Sequence, residues 1–126
     1  MATRNKGDIF SRVRRLGLKL PNVEEGTSFG APALKVDGTM FACIPTNKQA
    51  EPDSIVVRLS FTERELRLSF APSIYYIKPH YEGYTCVLAR VKLMDDDALK
   101  ELLETSWHFM HSTKGGKAKR PRSRKR

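Results

Sequence analysis

The chain has 126 residues, 23 Lys and Arg against 14 Asp and Glu, a formal net charge of +9 and 40% apolar residues, a size suited to one domain around a single core. It has no apolar run of about 18 residues and no apolar stretch at its start, so neither a membrane span nor a secretory signal is expected. Its two cysteines, Cys43 and Cys86, sit in apolar strand patterns without CxxC or Cys/His spacing, which argues against a disulfide framework or a zinc site and fits a reducing cytoplasm.

Ile9, Val13, Leu16 and Leu20 recur at helical spacing with Arg12, Arg14, Arg15 and Lys19 between them. This predicts an amphipathic first helix ending over residues 17–21. Residues 22–32 are rich in turn formers, with a short strand expected around 27–29. Asp37-Gly38, set between apolar runs over 33–36 and 39–44, predicts a hairpin closed by a type I′ turn, because these residues tolerate its positive φ angles. A polar loop over 45–53 leads to a strand over 54–60 with Ile55, Val57 and Leu59 on one face.

Thr62 and Glu65 read as a capping box, each side chain satisfying the other's exposed helix-start amide. It opens a short second helix running to about Ser69. A short strand over 74–77, a connection shaped by Pro79 and Gly83, and a long strand over 84–93 follow. Asp95, Asp96 and Asp97 then place negative charge at the start of a final helix, whose apolar stripe is Leu99, Leu102, Leu103, Ser106 and Met110. This order predicts an α+β fold, with an antiparallel sheet covered on one face by the N- and C-terminal helices.

Charge divides the chain at residue 113. Residues 114–126 hold eight basic side chains (Lys114, Lys117, Lys119, Arg120, Arg122, Arg124, Lys125 and Arg126) and no acid. That composition predicts a disordered basic tail. The remaining 15 basic residues face all 14 acids, so residues 1–113 form a nearly neutral domain.

Two groups of residues could carry function. If Leu34, Val36, Ile55, Val57, Leu59, Val87, Ala89 and Val91 point inward, then Lys35, Arg58, Arg90 and Lys92 point outward from three strands. They could meet phosphates there, or they could be ordinary exposed strand residues covering apolar surface with their stems. The run Lys78-Pro79-His80-Tyr81-Glu82-Gly83-Tyr84 could stack on bases or close an anion pocket. Equally, Tyr81 and Tyr84 could pack their rings while His80 satisfies a backbone group. Glu24 and Glu25 point apart on an extended segment, and Ser28 lacks the setting of a serine nucleophile. Helix capping accounts for the three aspartates without a metal. No catalytic set, cofactor or metal is expected.

The sequences LPNVEEGTSFGAPALKV running into GTMFA, then VVRLS, YYIKPHYEGY, VLARV and a terminal helix with Trp107 together resemble the MmcQ/YjbR family over about residues 7–111. The resemblance implies a CyaY-like fold and a proposed double-wing mode of DNA binding. The expectation is therefore a non-enzymatic, monomeric protein that binds DNA or RNA. Its contacts would be Lys35, Arg58, Lys78, His80, Tyr81, Tyr84, Arg90 and Lys92, joined by Lys117, Lys119, Arg120, Arg122, Arg124, Lys125 and Arg126. The alternative is a module for a small anionic ligand or a protein, centred on the groove near residues 78–84.

Overall fold

A computed structural model describes residues 6–112. The eight basic side chains of residues 114–126 lie outside them. Helix α1 (Lys6–Gly17) is followed by strands β1 (Val23–Ser28), β2 (Ala31–Val36), β3 (Thr39–Cys43) and β4 (Ser54–Arg58), helix α2 (Phe61–Phe70), strands β5 (Tyr75–Tyr76) and β6 (Cys86–Arg90), and helix α3 (Asp96–Ser112). The strands form one antiparallel sheet in the order β1-β2-β3-β4-β6-β5. The fold is α+β, as the sequence predicts.

Two tight turns set the register of the first three strands. Asp37 and Gly38 have φ angles of 52° and 85°, and Val36 pairs with Thr39 across them, as a two-residue type I′ turn requires. The same geometry recurs one turn earlier, where the sequence does not announce it. Phe29 and Gly30 have φ angles of 53° and 82°, and Ser28 pairs with Ala31. Phe29 therefore lies in a turn, and the strand before it spans six residues where a shorter one around 27–29 was expected.

The eight residues expected to point inward all lie in the main core, with Ile9, Phe10, Val13 and Leu16 of α1 and Leu99, Leu102, Leu103 and Met110 of α3. Helices α1 and α3 supply apolar stripes to that face, and Leu68 and Ala71, from α2 and just past its end, pack against its margin. Such wholly buried aliphatic side chains stabilise the fold by roughly 1.5–3 kcal/mol each before entropy is counted.

Local details correct the sequence reading. Helix α2 is capped by Ser60, whose Oγ accepts from the Glu63 amide at 3.1 Å, so the cap lies two residues before Thr62. The last long strand stops at Arg90, and Val91–Leu93 form a single 3-10 turn. Arg12 fixes that turn by donating to the carbonyls of Val91 at 3.0 Å and Met94 at 2.8 Å. Asp95 caps α3, its Oδ1 accepting from the Ala98 amide at 2.8 Å. Asp96 instead receives Arg12 and Arg15 at 3.0 and 3.1 Å. Those hydrogen bonds, from Arg12 first, hold its carboxyl below the ordinary range.

Candidate functional site: a cleft on the second face of the sheet

The face turned away from α1 and α3 differs from the open basic surface predicted for it. It carries a second apolar cluster of Ala33, Cys43, Val56, Tyr76, Tyr81, Cys86 and Leu88. The cations placed on it have specific surroundings. Lys35 is directly opposite Glu24 of β1, an acid the sequence reading left off the face, and cross-strand partners share a face. Arg90 forms a two-pronged pair with Glu51, both contacts 2.8 Å, and lies 4.2 Å over the Tyr76 ring. This pairing lowers the Glu51 pKa and raises that of Arg90. Lys92 lies in the 3-10 turn beyond β6, with Asp53 at 3.4 Å. The acids come from β1 and the 45–53 loop, segments whose pairing with these cations is set by tertiary structure.

Part of this face is a cleft of about 340 Å³, within the range of small-molecule sites. Its inner wall includes Cys43, Val56, Tyr81 and Cys86, while Phe29, Met40, Thr46, His80 and Tyr84 also line it. Arg58 lines it from the end of β4, donating from Nε and Nη2 to the carbonyl and hydroxyl of Thr85, each at 3.1 Å. The lining contains Arg58 and His80 but no Asp or Glu. The fixed charge of the lining, carried by Arg58, is thus positive.

The wall beside His80 is held by residues that the sequence reading passed over. Arg64, only 6% exposed, donates from α2 to the carbonyls of Tyr84 at 2.9 Å, Cys86 at 3.1 Å and Glu82 at 3.0 Å. Its Nε has no hydrogen-bond acceptor, and the nearest carboxylate oxygen, on Glu65, is 3.8 Å away. One buried guanidinium thereby satisfies three carbonyls of the 82–86 segment. Gln49 accepts from the His80 amide at 2.9 Å. The spacing 64, 67, 68 and 71 was the available signal: it puts two arginines on the buried stripe of α2. Arg67 uses that position to bind Glu101 of α3 at 2.9 and 2.7 Å. Burial opposes its charge, but the Glu101 contacts prevail and raise its pKa.

Of the residues predicted as a site, Arg58, His80, Tyr81 and Tyr84 meet in this cleft. Tyr81 is buried and serves as wall, whereas Tyr84 is 60% exposed. The His80 ring packs edge-on to Tyr81 at 4.7 Å and lies 6.2 Å from Tyr84. Lys78 stands apart, its Nζ 5.9 Å from the Tyr76 ring centre. Sequence reasoning missed Phe29, which is 92% exposed. A bulky side chain at positive φ is rare and costs roughly 1–2 kcal/mol.

Both cleft thiols are buried, and loss of hydration pushes each pKa up to about 11. They are poor nucleophiles at neutral pH. Among the described residues, no group of three or more His, Cys, Asp and Glu side chains could hold a metal ion. None of the described helices is long and apolar enough to cross a membrane.

No curated protein sequence matches the chain. Its architecture is similar to the crystal structure of Deinococcus radiodurans protein DR2400, described with a DUF419 domain. The TM-score is 0.65 and the identity 20%, over 92% of this chain and 83% of that one. At that identity the likeness carries the fold alone. The YjbR family model matches residues 18–109, from the end of the first helix to the last turns of α3. The chain therefore belongs to the YjbR family.

Proposed function

We propose that this protein is a non-enzymatic binding module whose site is the cleft bounded by Arg58, His80 and Tyr84, and that its ligand is a small anion. The observation carrying this reading is the sign of the lining: a concave site of about 340 Å³ with a guanidinium and an imidazole in its wall and no carboxylate. A partly desolvated guanidinium attracts an anion more strongly than one in water. Burial keeps the two cleft thiols protonated and poorly nucleophilic, which favours binding over thiol catalysis. Thermal unfolding of the full chain with phosphates and carboxylates tests it. Ligand at a hundredfold excess over its Kd stabilises by about 2.7 kcal/mol. The expected rise in Tm disappears in Arg58→Met. No rise with any anion refutes the reading.

A second reading, contact with DNA or RNA, draws on the eight basic residues of 114–126. A protein engaging about six phosphates of a duplex shows a slope of log K against log salt near −5. Anisotropy of a labelled duplex with the full chain and with residues 1–113, at three salt concentrations, separates the two. Binding lost with residues 114–126 makes nucleic acid the concern of that segment. Salt-sensitive binding by residues 1–113 would instead assign phosphate contacts to the sheet face.

A further inference from the structure

We propose that the cleft ligand is an anion bearing an aromatic ring, of the nucleoside monophosphate type, its flat ring stacked at the Phe29 and Tyr84 rim and its anionic group turned to Arg58 and His80. This deepens the anion-binding reading and rests on it.

The first support is the composition of the mouth. Phe29 is 92% and Tyr84 60% exposed, and both line the same cleft as Arg58 and His80. Stacking needs an accessible ring face, and anion recognition needs donors within reach of the same molecule. The second support is the conformation of Phe29. It occupies the first position of a type I′ turn, with φ 53° before Gly30 at 82°, where Asn or Asp is the favoured residue. Its exposed ring contributes little to the core, so the fold gains little from a phenyl group here. A strained residue at the lip of a cleft points to a ligand contact. The third support is the mount: Arg64 holds the carbonyls of Glu82, Tyr84 and Cys86. Tyr84 thus projects from a segment fixed to α2.

The chemistry could come from a free nucleotide or from the phosphorylated end of a strand; we assign the free molecule, because the site is a single cleft. The test is an NMR titration of the full chain with adenosine monophosphate at about 150 mM salt, following the amides of Gly30, Tyr84 and Thr85. Adenosine and inorganic phosphate are tested separately. Since stacking and charged contacts each change affinity by roughly tenfold or more, both fragments are expected to bind at least tenfold more weakly than the nucleotide. Phe29→Asn, which suits the turn, should weaken the nucleotide at least fivefold and leave phosphate unchanged. Arg58→Met should weaken both.

Equal binding of phosphate and nucleotide, with Phe29→Asn silent, overturns the aryl assignment while leaving an anion cleft. No shift at these amides with any probe overturns both. Tighter binding of a 5′-phosphorylated tetranucleotide, with the same loss in both variants, upholds the ring-and-anion site but overturns the assignment to a free molecule.

Discussion

Replacing Phe29 by Asn should make this protein more stable, against the usual effect of deleting an aromatic side chain. Phe29 is 92% exposed. A phenylalanine can bury on the order of 200 Å², so this one buries about 20 Å², a contribution near 0.5 kcal/mol at about 25 cal/mol per Å². Its φ of 53° lies in the left-handed region, where a bulky L-residue loses roughly 1–2 kcal/mol and Asn much less. The balance favours Asn by about 0.5–1.5 kcal/mol. For a domain of this size that is a rise in Tm of about 2–8 °C. Urea unfolding followed by Trp107 fluorescence or circular dichroism measures it, with an unchanged m-value showing that the native and denatured states kept their compactness. A fall in stability would refute the reasoning, because it would mean that the Phe29 ring supports the folded state. Together with weaker nucleotide binding, a gain would be the trade between stability and function expected of a strained contact residue.

Three further outcomes follow from the same geometry. Arg64→Met should destabilise by about 3 kcal/mol in urea, since it takes the guanidinium donor from the carbonyls of Glu82 and Cys86 and leaves that of Tyr84 with the Cys86 amide at 2.8 Å alone; a change under 1 kcal/mol would show that the 82–86 segment holds its own shape. The Arg67 and Arg90 pairs depress the carboxyl pKa values of Glu101 and Glu51, so the unfolded chain binds more protons than the folded one once pH drops toward the unfolded value of about 4.3. Stability should hold above about pH 5, fall as pH drops through the depressed folded-state values, and fall less steeply in Glu101→Gln; an unchanged profile in that variant would contradict the coupling. Finally, Cys43 and Cys86, buried with pKa values near 11, should react with a thiol reagent at pH 8 at least a hundredfold more slowly in the native protein than in urea, and rapid native labelling would disprove their burial.

What the sequence determined are the features carried by local pattern. The helical spacing of Ile9, Val13 and Leu16, the alternation of Ile55, Val57 and Leu59, the Asp37-Gly38 turn and the Asp95 cap each depend on residues a few positions apart, and each stands in the structure. The family resemblance added their order. Tertiary structure alone decided what lies opposite what. Glu24 meets Lys35 because β1 pairs with β2, and Glu51 reaches Arg90 from 39 positions away; neither follows from spacing, so a nearly neutral face read as a basic one. The cleft arises in the same way, from a hairpin turn, a strand end and the segment around His80 brought together by the sheet. Phe29 shows the limit most plainly. Its position reads as the end of a short strand, and only the pairing of Ser28 with Ala31 forces its backbone through the left-handed region and leaves its ring in solvent at the mouth of the site.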